Sequence, residues 1–324
     1  MDNAIYIIGS EPFDEWRKSY ETGENLVISG IVGYDDFTEF ARTFDYTQFK
    51  NIRLENLSIS EKSLAERHSN SFYDEIVGEI YYSDENIVYP LIKMFLNSDK
   101  GCGEFAVING EILSLDGKTL IHTTESEELI IKEGIETISA FACCEYSLTT
   151  KVKLCEGLTE IGDYAFFHCE NLEKLILPNS VVTLGEDSFY MAGLNEVRLS
   201  ENLRDIPSGC FAYTCLSEVE IPASVREIGG EAFARTYIDS VIIPEGVESI
   251  EWNVFDYLSE VHLPSTLKEI ASDFYYESVV DGPEEPPYVH VHPDNPIFYA
   301  KEGTLYFRSN DEWALDAAYN DKKK

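Results

Sequence analysis

Between residues 128 and 275 apolar positions return at a steady phase. An aliphatic-x-aliphatic doublet closes at residues 131, 154, 177, 199, 221, 243 and 263, with steps of 23, 23, 22, 22, 22 and 20 residues. Seven positions after each doublet stands Ile138, Ile161, Leu184, Ile206, Ile228, Ile250 or Ile270. Twelve positions after it stands Phe166, Phe189, Phe211, Phe233 or Phe255; the first copy has Cys143 there, with Phe141 nearby, and the last shifts to Phe274 and Tyr275. A period of two puts both doublet residues on one face of a strand. One unit of this length cannot bury that face alone. Stacked units can, with their strands side by side in one parallel sheet and the rest of each unit returning behind it. The crossovers of a parallel sheet predict a right-handed coil. The residues at plus seven and plus twelve then become internal ladders.

Polar and special residues punctuate the same pattern. Pro178, Pro222, Pro244 and Pro264 follow the doublets, where a residue without an N–H ends a strand. Gly162, Gly185 and Gly229 follow the buried aliphatic residue, where a sharp turn is expected.

The L-x-x-[LV]-x-[LI] strand pattern is the general leucine-rich-repeat signature. The fuller unit, with Ile161-Gly162, Ala165-Phe166 and Ile221-Pro222-Ala223-Ser224-Val225, resembles the BspA-like leucine-rich-repeat family over residues 128–275. That resemblance implies a leucine-rich-repeat solenoid, with mostly irregular or short-helical return segments, irregular caps and β-hairpin insertions. It also implies adhesion or partner binding, mostly at bacterial surfaces or after secretion, and no catalytic residues. The chain departs from the Asn ladder of other subclasses. Three residues after the strands it has Gly134, Gly157, Ser180, Asn202, Ser224, Gly246 and Thr266.

Four regions are expected: a degenerate cap over 1–100, a hairpin insertion over 101–127, the solenoid over 128–279, and a loop, hairpin and cap over 280–324. In the first, Asn25–Gly30 and Asn51–Asn56 read as strands with a helix near Asp35–Arg42 between them; Tyr89–Leu96 reads as a second short helix. Residues 104–120 and 295–306 read as hairpins, and Asp281–Pro287 as an exposed acidic, proline-rich loop. The Lys322–Lys324 tail reads as a solvated end.

Composition narrows the function. Sixty acidic against 24 basic residues make a formal net charge of −36, which repels phosphate backbones and argues against nucleic-acid partners. No apolar run of membrane-spanning length occurs, so membrane insertion is not expected. The opening residues lack the basic and apolar regions of a secretory leader. Seven cysteines, with no zinc-type pairing of C-x-x-C motifs, read as small buried hydrophobes. Cys210 and Cys215 are expected along the back of the coil, and neighbouring Cys143 and Cys144 as reduced thiols. His290-x-His292-x-Asp294 would place three ligand types on one strand face, but no further His or Cys lies close in sequence. No metal, cofactor or catalytic role is therefore assigned to any residue. Phosphate loops, nucleophile elbows and H-E-x-x-H are missing from the sequence.

Alternation along the strands marks a binding face. Lys151, Lys153, Lys174, Ile176, Arg198, Glu218, Glu220, Ile242, Glu260 and His262 should point away from the core. The basic members gather toward the first strands and the acidic ones toward the last. A non-catalytic, monomeric module that recognises a protein or glycan is the expected function. A structural solenoid within a larger assembly is the alternative.

Overall fold

A computed structural model describes residues 3–7, 25–32, 34–44, 46–59, 90–98, 103–256, 258–276 and 287–309. Cys102, most of the acidic loop at 281–287, the opening residues past Ile7 and the lysine tail lie outside the described residues. Contacts cluster into two units, residues 1–124 with 137–142, and residues 125–136 with 143–324.

In the first unit, β1 (Asn3–Ile7), β2 (Asn25–Val32) and β3 (Asn51–Ile59) pair in parallel. The amphipathic helix α1 (Tyr34–Thr43) connects β2 toward β3, as the sequence predicts. It buries Phe37, Phe40 and Ala41, and Phe37 meets Phe95 of α2 (Pro90–Leu96) with ring centroids 5.4 Å apart. The expected hairpin is an antiparallel meander of β4 (Gly103–Ile108), β5 (Glu111–Ser114) and β6 (Thr119–His122), joined antiparallel to β3. On α2, Lys93 is buried. Its Nζ donates to Ala142 O at 3.0 Å and lies 3.4 Å from His122 Nδ1. Burial first, and the Lys93 charge second, hold the His122 imidazole well below its ordinary range.

The second unit is the solenoid. β7 (Glu128–Ile130) belongs to it, whereas β8 (Thr137–Ile138) pairs parallel to β6 in the first unit. The doublets lie in β9 (Lys151–Lys153), which pairs with β7, and in β11 (Lys174–Ile176) and β13 (Glu196–Arg198). Where a single sheet is expected, the repeats carry a second set of parallel ladders. The aliphatic residue at plus seven ends a two-residue strand in each coil. These are β10 (Glu160–Ile161), β12 (Thr183–Leu184), β14 (Asp205–Ile206), β15 (Glu227–Ile228), β17 (Ser249–Ile250) and β20 (Glu269–Ile270). β10 pairs with β12, and β14, β15, β17 and β20 form one further sheet. The physical reason is backbone satisfaction: a buried return segment must place its N–H and C=O groups on a neighbour, and the neighbouring coil is the one in reach.

The doublet face continues through β16 (Ser240–Ile242), β19 (Glu260–Leu263) and β22 (Tyr288–Val291). Between β13 and β16, residues 216–221 keep the inside-outside alternation, with Leu216 and Ile221 buried and Glu218 and Glu220 exposed, but form no strand. The return segments of this unit contain no helix among the described residues. No helix of the described residues is long and apolar enough to cross a membrane.

The third side of the coil holds the phenylalanines. Phe166, Phe189, Phe211, Phe233 and Phe255 are fully buried and stack in sequence, with centroid separations of 5.3, 5.5, 5.5 and 5.5 Å and interplanar angles of 10° or less. The Phe255–Asp256 pair forms β18, parallel to β21 (Tyr275–Tyr276). Backbone bonds such as Phe166 N to Ser188 O and Phe189 N to Cys210 O, 2.8 and 3.0 Å, run from coil to coil beside the rings. On either side of the ring positions the chain turns through left-handed conformations at non-glycine residues. Tyr164 and His168, Asp187 and Met191, and Glu231 and Arg235 are such pairs, with φ between 51° and 59°.

Two glycines serve a purpose other than the expected turn. A Cβ on Gly185 would lie 2.2 Å from Asp163 N, and one on Gly229 2.6 Å from Ser208 N. These positions exclude a side chain because the preceding coil's backbone touches them. The prolines behave as expected. Leu177 N still donates to Arg198 O at 3.0 Å, then Pro178 opens a turn whose carbonyl accepts from Val181 N. The substituted Asn ladder is mixed, as in Gly157 N to Ser180 Oγ at 3.1 Å and Gly246 N to Thr266 Oγ1 at 2.9 Å.

Cys143, Cys144, Cys155, Cys169 and Cys210 are buried free thiols. Cys215 is a free thiol but exposed, so it does not line the back of the coil with Cys210. It lies just past the ring ladder, at the start of the 216–221 segment, outside the apolar interior. At the far end the expected hairpin is present as β23 (Phe298–Lys301) and β24 (Thr304–Phe307). Buried Asn295 ties it to the coil beneath. Its Nδ2 donates to Pro264 O and Leu267 O at 2.9 and 3.0 Å, and its Oδ1 accepts from Ile297 N and Phe298 N at 2.9 and 2.8 Å.

Replacing one ring of the ladder leaves a cavity between two others. Phe211→Ala should cost ~3–5 kcal/mol in denaturant unfolding. A cost under about 1 kcal/mol would place that ring outside the core. Because coil-on-coil burial supplies the stability, the chain should stay folded in EDTA, with its far-UV circular dichroism unchanged.

Candidate functional site

The alternation of the doublet strands delivers every side chain named for the binding face to the outside. Lys151, Lys153, Lys174, Ile176, Arg198, Glu218, Glu220, Ile242 and His262 are exposed and Glu260 is half-buried. Strand pairing sets them in rows. Glu128 stands beside Lys151, Lys151 beside Lys174, and Lys174 beside Glu196. In the parallel row, Ile130 stands beside Lys153 and Ile176 beside Arg198. Further along, Ile242, His262 and His290 follow one another in register.

The first four strands hold a groove of about 710 Å³. Lys151, Lys153, Lys174, Arg198 and Ile176 line it together with Glu128, Glu156 and Glu173. Lys174 is engaged in an ion pair with Glu196. Lys151, Lys153 and Arg198 have no ion-pair partner among the described residues. Lys151 and Lys174 are direct neighbours across the strands, and like charges so placed disfavour the sheet slightly. Glu218 and Glu220 fall in the interrupted segment and do not reach this groove.

Sequence reasoning missed three features of the face. Ile130, 52% exposed, extends the apolar part of the second row, and Glu128 borders the groove; the phase of the first repeat was enough to find both. Tyr288 is also exposed and falls in the row of Glu260. No local signal marked it, because β22 falls outside the phase of the repeats.

The His290-x-His292-x-Asp294 reading requires correction. β22 ends at Val291, and the next residues turn. Asp294 N donates to His292 Nδ1 at 3.2 Å, a contact inside that turn. His290 instead faces Glu260 and His262 of the preceding coil. Its Nε2 is 2.7 Å from Glu260 Oε1, and the two imidazoles stack with centroids 4.2 Å apart. No His or Cys was near in sequence, but one was near in space.

The repeats match the BspA type leucine rich repeat region in six copies, over residues 117–239 and 226–281, a combined span of more than half of the 324-residue chain. The chain belongs to the BspA-type leucine-rich-repeat family. Among solved structures it is similar to a leucine-rich-repeat protein of T. pallidum, at 20% identity over 54% of this chain and 87% of that one, with a TM-score of 0.45. It is also similar to a leucine rich cell surface protein of Faecalibacterium prausnitzii, at 16% identity over 51% and 72% of the two chains, TM-score 0.31. The pneumococcal vaccine antigen PcpA is similar at 18% identity over 60% and 37%, TM-score 0.28. No curated protein matches the chain.

The Lys174–Glu196 pair has both side chains about half exposed, where such a pair contributes roughly 0–1 kcal/mol. Glu196→Gln should therefore shift unfolding free energy by less than about 1 kcal/mol. A larger loss in denaturant melts would show that the pair holds the face in shape.

Proposed function

We propose that the groove over the first four doublet strands recognises an acidic group on a protein or glycan partner, and that the chain works by binding rather than by catalysis. One observation carries this reading. In a chain of net charge −36, four cations outnumber the three carboxylates Glu128, Glu156 and Glu173 in one groove, and three of those cations have no ion-pair partner among the described residues. A face kept only for solubility has no need to gather the scarce charge. It also has no need to expose Ile130 and Ile176 beside it.

The physical division of labour follows from the rows. Lys153 and Arg198 alternate with Ile176 and Ile130, so a ligand lying across the strands meets charge and apolar surface in turn. The apolar contacts supply area. The cations supply orientation and association rate, and these fall with salt. The two inner strands, β9 and β11, are paired on both sides and present Lys151, Lys153, Lys174 and Ile176 with little freedom, which lowers the entropic cost of binding. Adhesion or contact at a cell surface is the wider role that membership of the family implies.

The test is an array of sulfated, sialylated and neutral glycans, together with acidic peptides, probed with the intact chain. Binding should favour the acidic members and weaken as salt rises. The triple variant Lys153→Glu, Lys174→Glu, Arg198→Glu should lose at least about tenfold in affinity and most of the salt dependence. Glu196→Gln, which frees Lys174, should bind at least as well as the parent. Unchanged affinity in a folded triple variant would move recognition away from this groove.

A further inference from the structure

We propose that Glu260, His262 and His290 form a binding site for a divalent transition cation of the Zn²⁺, Cu²⁺ or Ni²⁺ class on the exposed side of β19 and β22. The site follows from strand register. His262 and His290 are paired residues on neighbouring parallel strands, so their side chains leave the same face a strand spacing apart. Glu260 stands two residues before His262 and therefore shares that face.

The three side chains converge on one point. Glu260 Oε1 lies 2.7 Å from His290 Nε2 and 3.3 Å from His262 Nε2. One ligand atom from each residue falls within 4.8 Å of the other two. A tetrahedral zinc ion with ligands at ~2.0–2.1 Å separates its ligand atoms by roughly 3.3 Å. The cluster is thus close to the required size before any cation binds, and small side-chain rotations complete it. Two ring nitrogens and one carboxylate are a ligand set that suits Zn²⁺, Cu²⁺ and Ni²⁺. Mg²⁺ and Ca²⁺ favour all-oxygen surroundings with more ligands and gain little here.

The supporting strands make the arrangement stiff. Val261, Leu263 and Val289 are buried beneath the face, and the two strands pair over four residues. Tyr288, in register with Glu260, closes one side by packing against the His290 ring with centroids 5.0 Å apart. The side chains of Glu260, His262 and His290 are 46%, 47% and 42% exposed. Coordination positions therefore remain open to water or to a donor from outside. The field of a strongly acidic chain concentrates cations at its surface. A site so exposed adds an ion to a surface that forms without it, so the chain stays folded in EDTA, while bound Zn²⁺ raises its melting temperature by linkage.

The decisive experiment titrates Zn²⁺ into the tag-free full chain after chelator treatment, with Cys215→Ser as background to remove the exposed thiol and with Mg²⁺ in excess. Calorimetry should show one site. His262→Ala and His290→Ala should each weaken it at least about tenfold, the scale on which metal-site partners act, and Glu260→Gln should weaken it too. His292→Ala, in the adjacent turn, should leave it unchanged. Cu²⁺ bound to the same background should show coupling to two imidazole nitrogens by electron paramagnetic resonance, which needs no ligand variant to fold. Zn²⁺ affinity that survives the double His262→Ala, His290→Ala change, loss of binding in excess Mg²⁺, or a Cu²⁺ spectrum without nitrogen coupling would each overturn the site.

Discussion

The solenoid rests on one constraint: no coil can satisfy its own interior. A coil of 20–23 residues makes one circuit, so its short strands lie on different sides and do not pair with one another. Its buried N–H and C=O groups must be met by the coil before and the coil after. All three sides of the unit obey this. The doublet strands pair in parallel, the short strands at plus seven do the same, and the ring positions bond across from one coil to the next. The apolar ladders ride on that pairing. Phe166 to Phe255 stack with nearly parallel rings because the backbone repeats beneath them at a constant step.

The same constraint explains two kinds of residue that are otherwise out of place. Left-handed backbone at Tyr164, His168, Asp187 and Met191 costs roughly 1–2 kcal/mol per residue. It persists because each of these residues donates its N–H to a carbonyl of the next coil. Gly185 and Gly229 are the converse case. Their backbone angles are ordinary, but the adjacent coil comes too close for a Cβ. Asn295 closes the system by giving the last coil the partners that a further repeat would have supplied.

A stacked sheet also converts sequence distance into surface neighbourhood. Residues one repeat apart become adjacent, and their exposed side chains form rows. Near one end this gathers Lys151, Lys153, Lys174 and Arg198 into a groove. Further along it brings His262 against His290. Between them, Glu218 and Glu220 sit in a segment without strand pairing, so the face is two surfaces rather than one continuous strip. The groove and the histidine cluster share no residues and differ in chemistry.

The repeat, its phase, its buried positions and its outward-facing residues were all determined by the sequence itself. Period-two doublets and regularly spaced Ile and Phe have one economical solution, stacked parallel coils. The helix between β2 and β3 and the terminal hairpin were legible for the same reason, since their signals are local. What the tertiary structure alone decided depends on inter-coil distance. The buried residue at plus seven was legible, but the strands that end on it are two residues long, too short to show the alternation that marks a strand. The left-handed positions are held by bonds to the next coil; His168 and Asp187 are types that tolerate that conformation, but Tyr164 and Met191 do not announce it. The Glu260–His262–His290 cluster joins residues as much as 30 positions apart, and no scan along the chain measures which side chains two neighbouring coils bring within a few ångströms of each other.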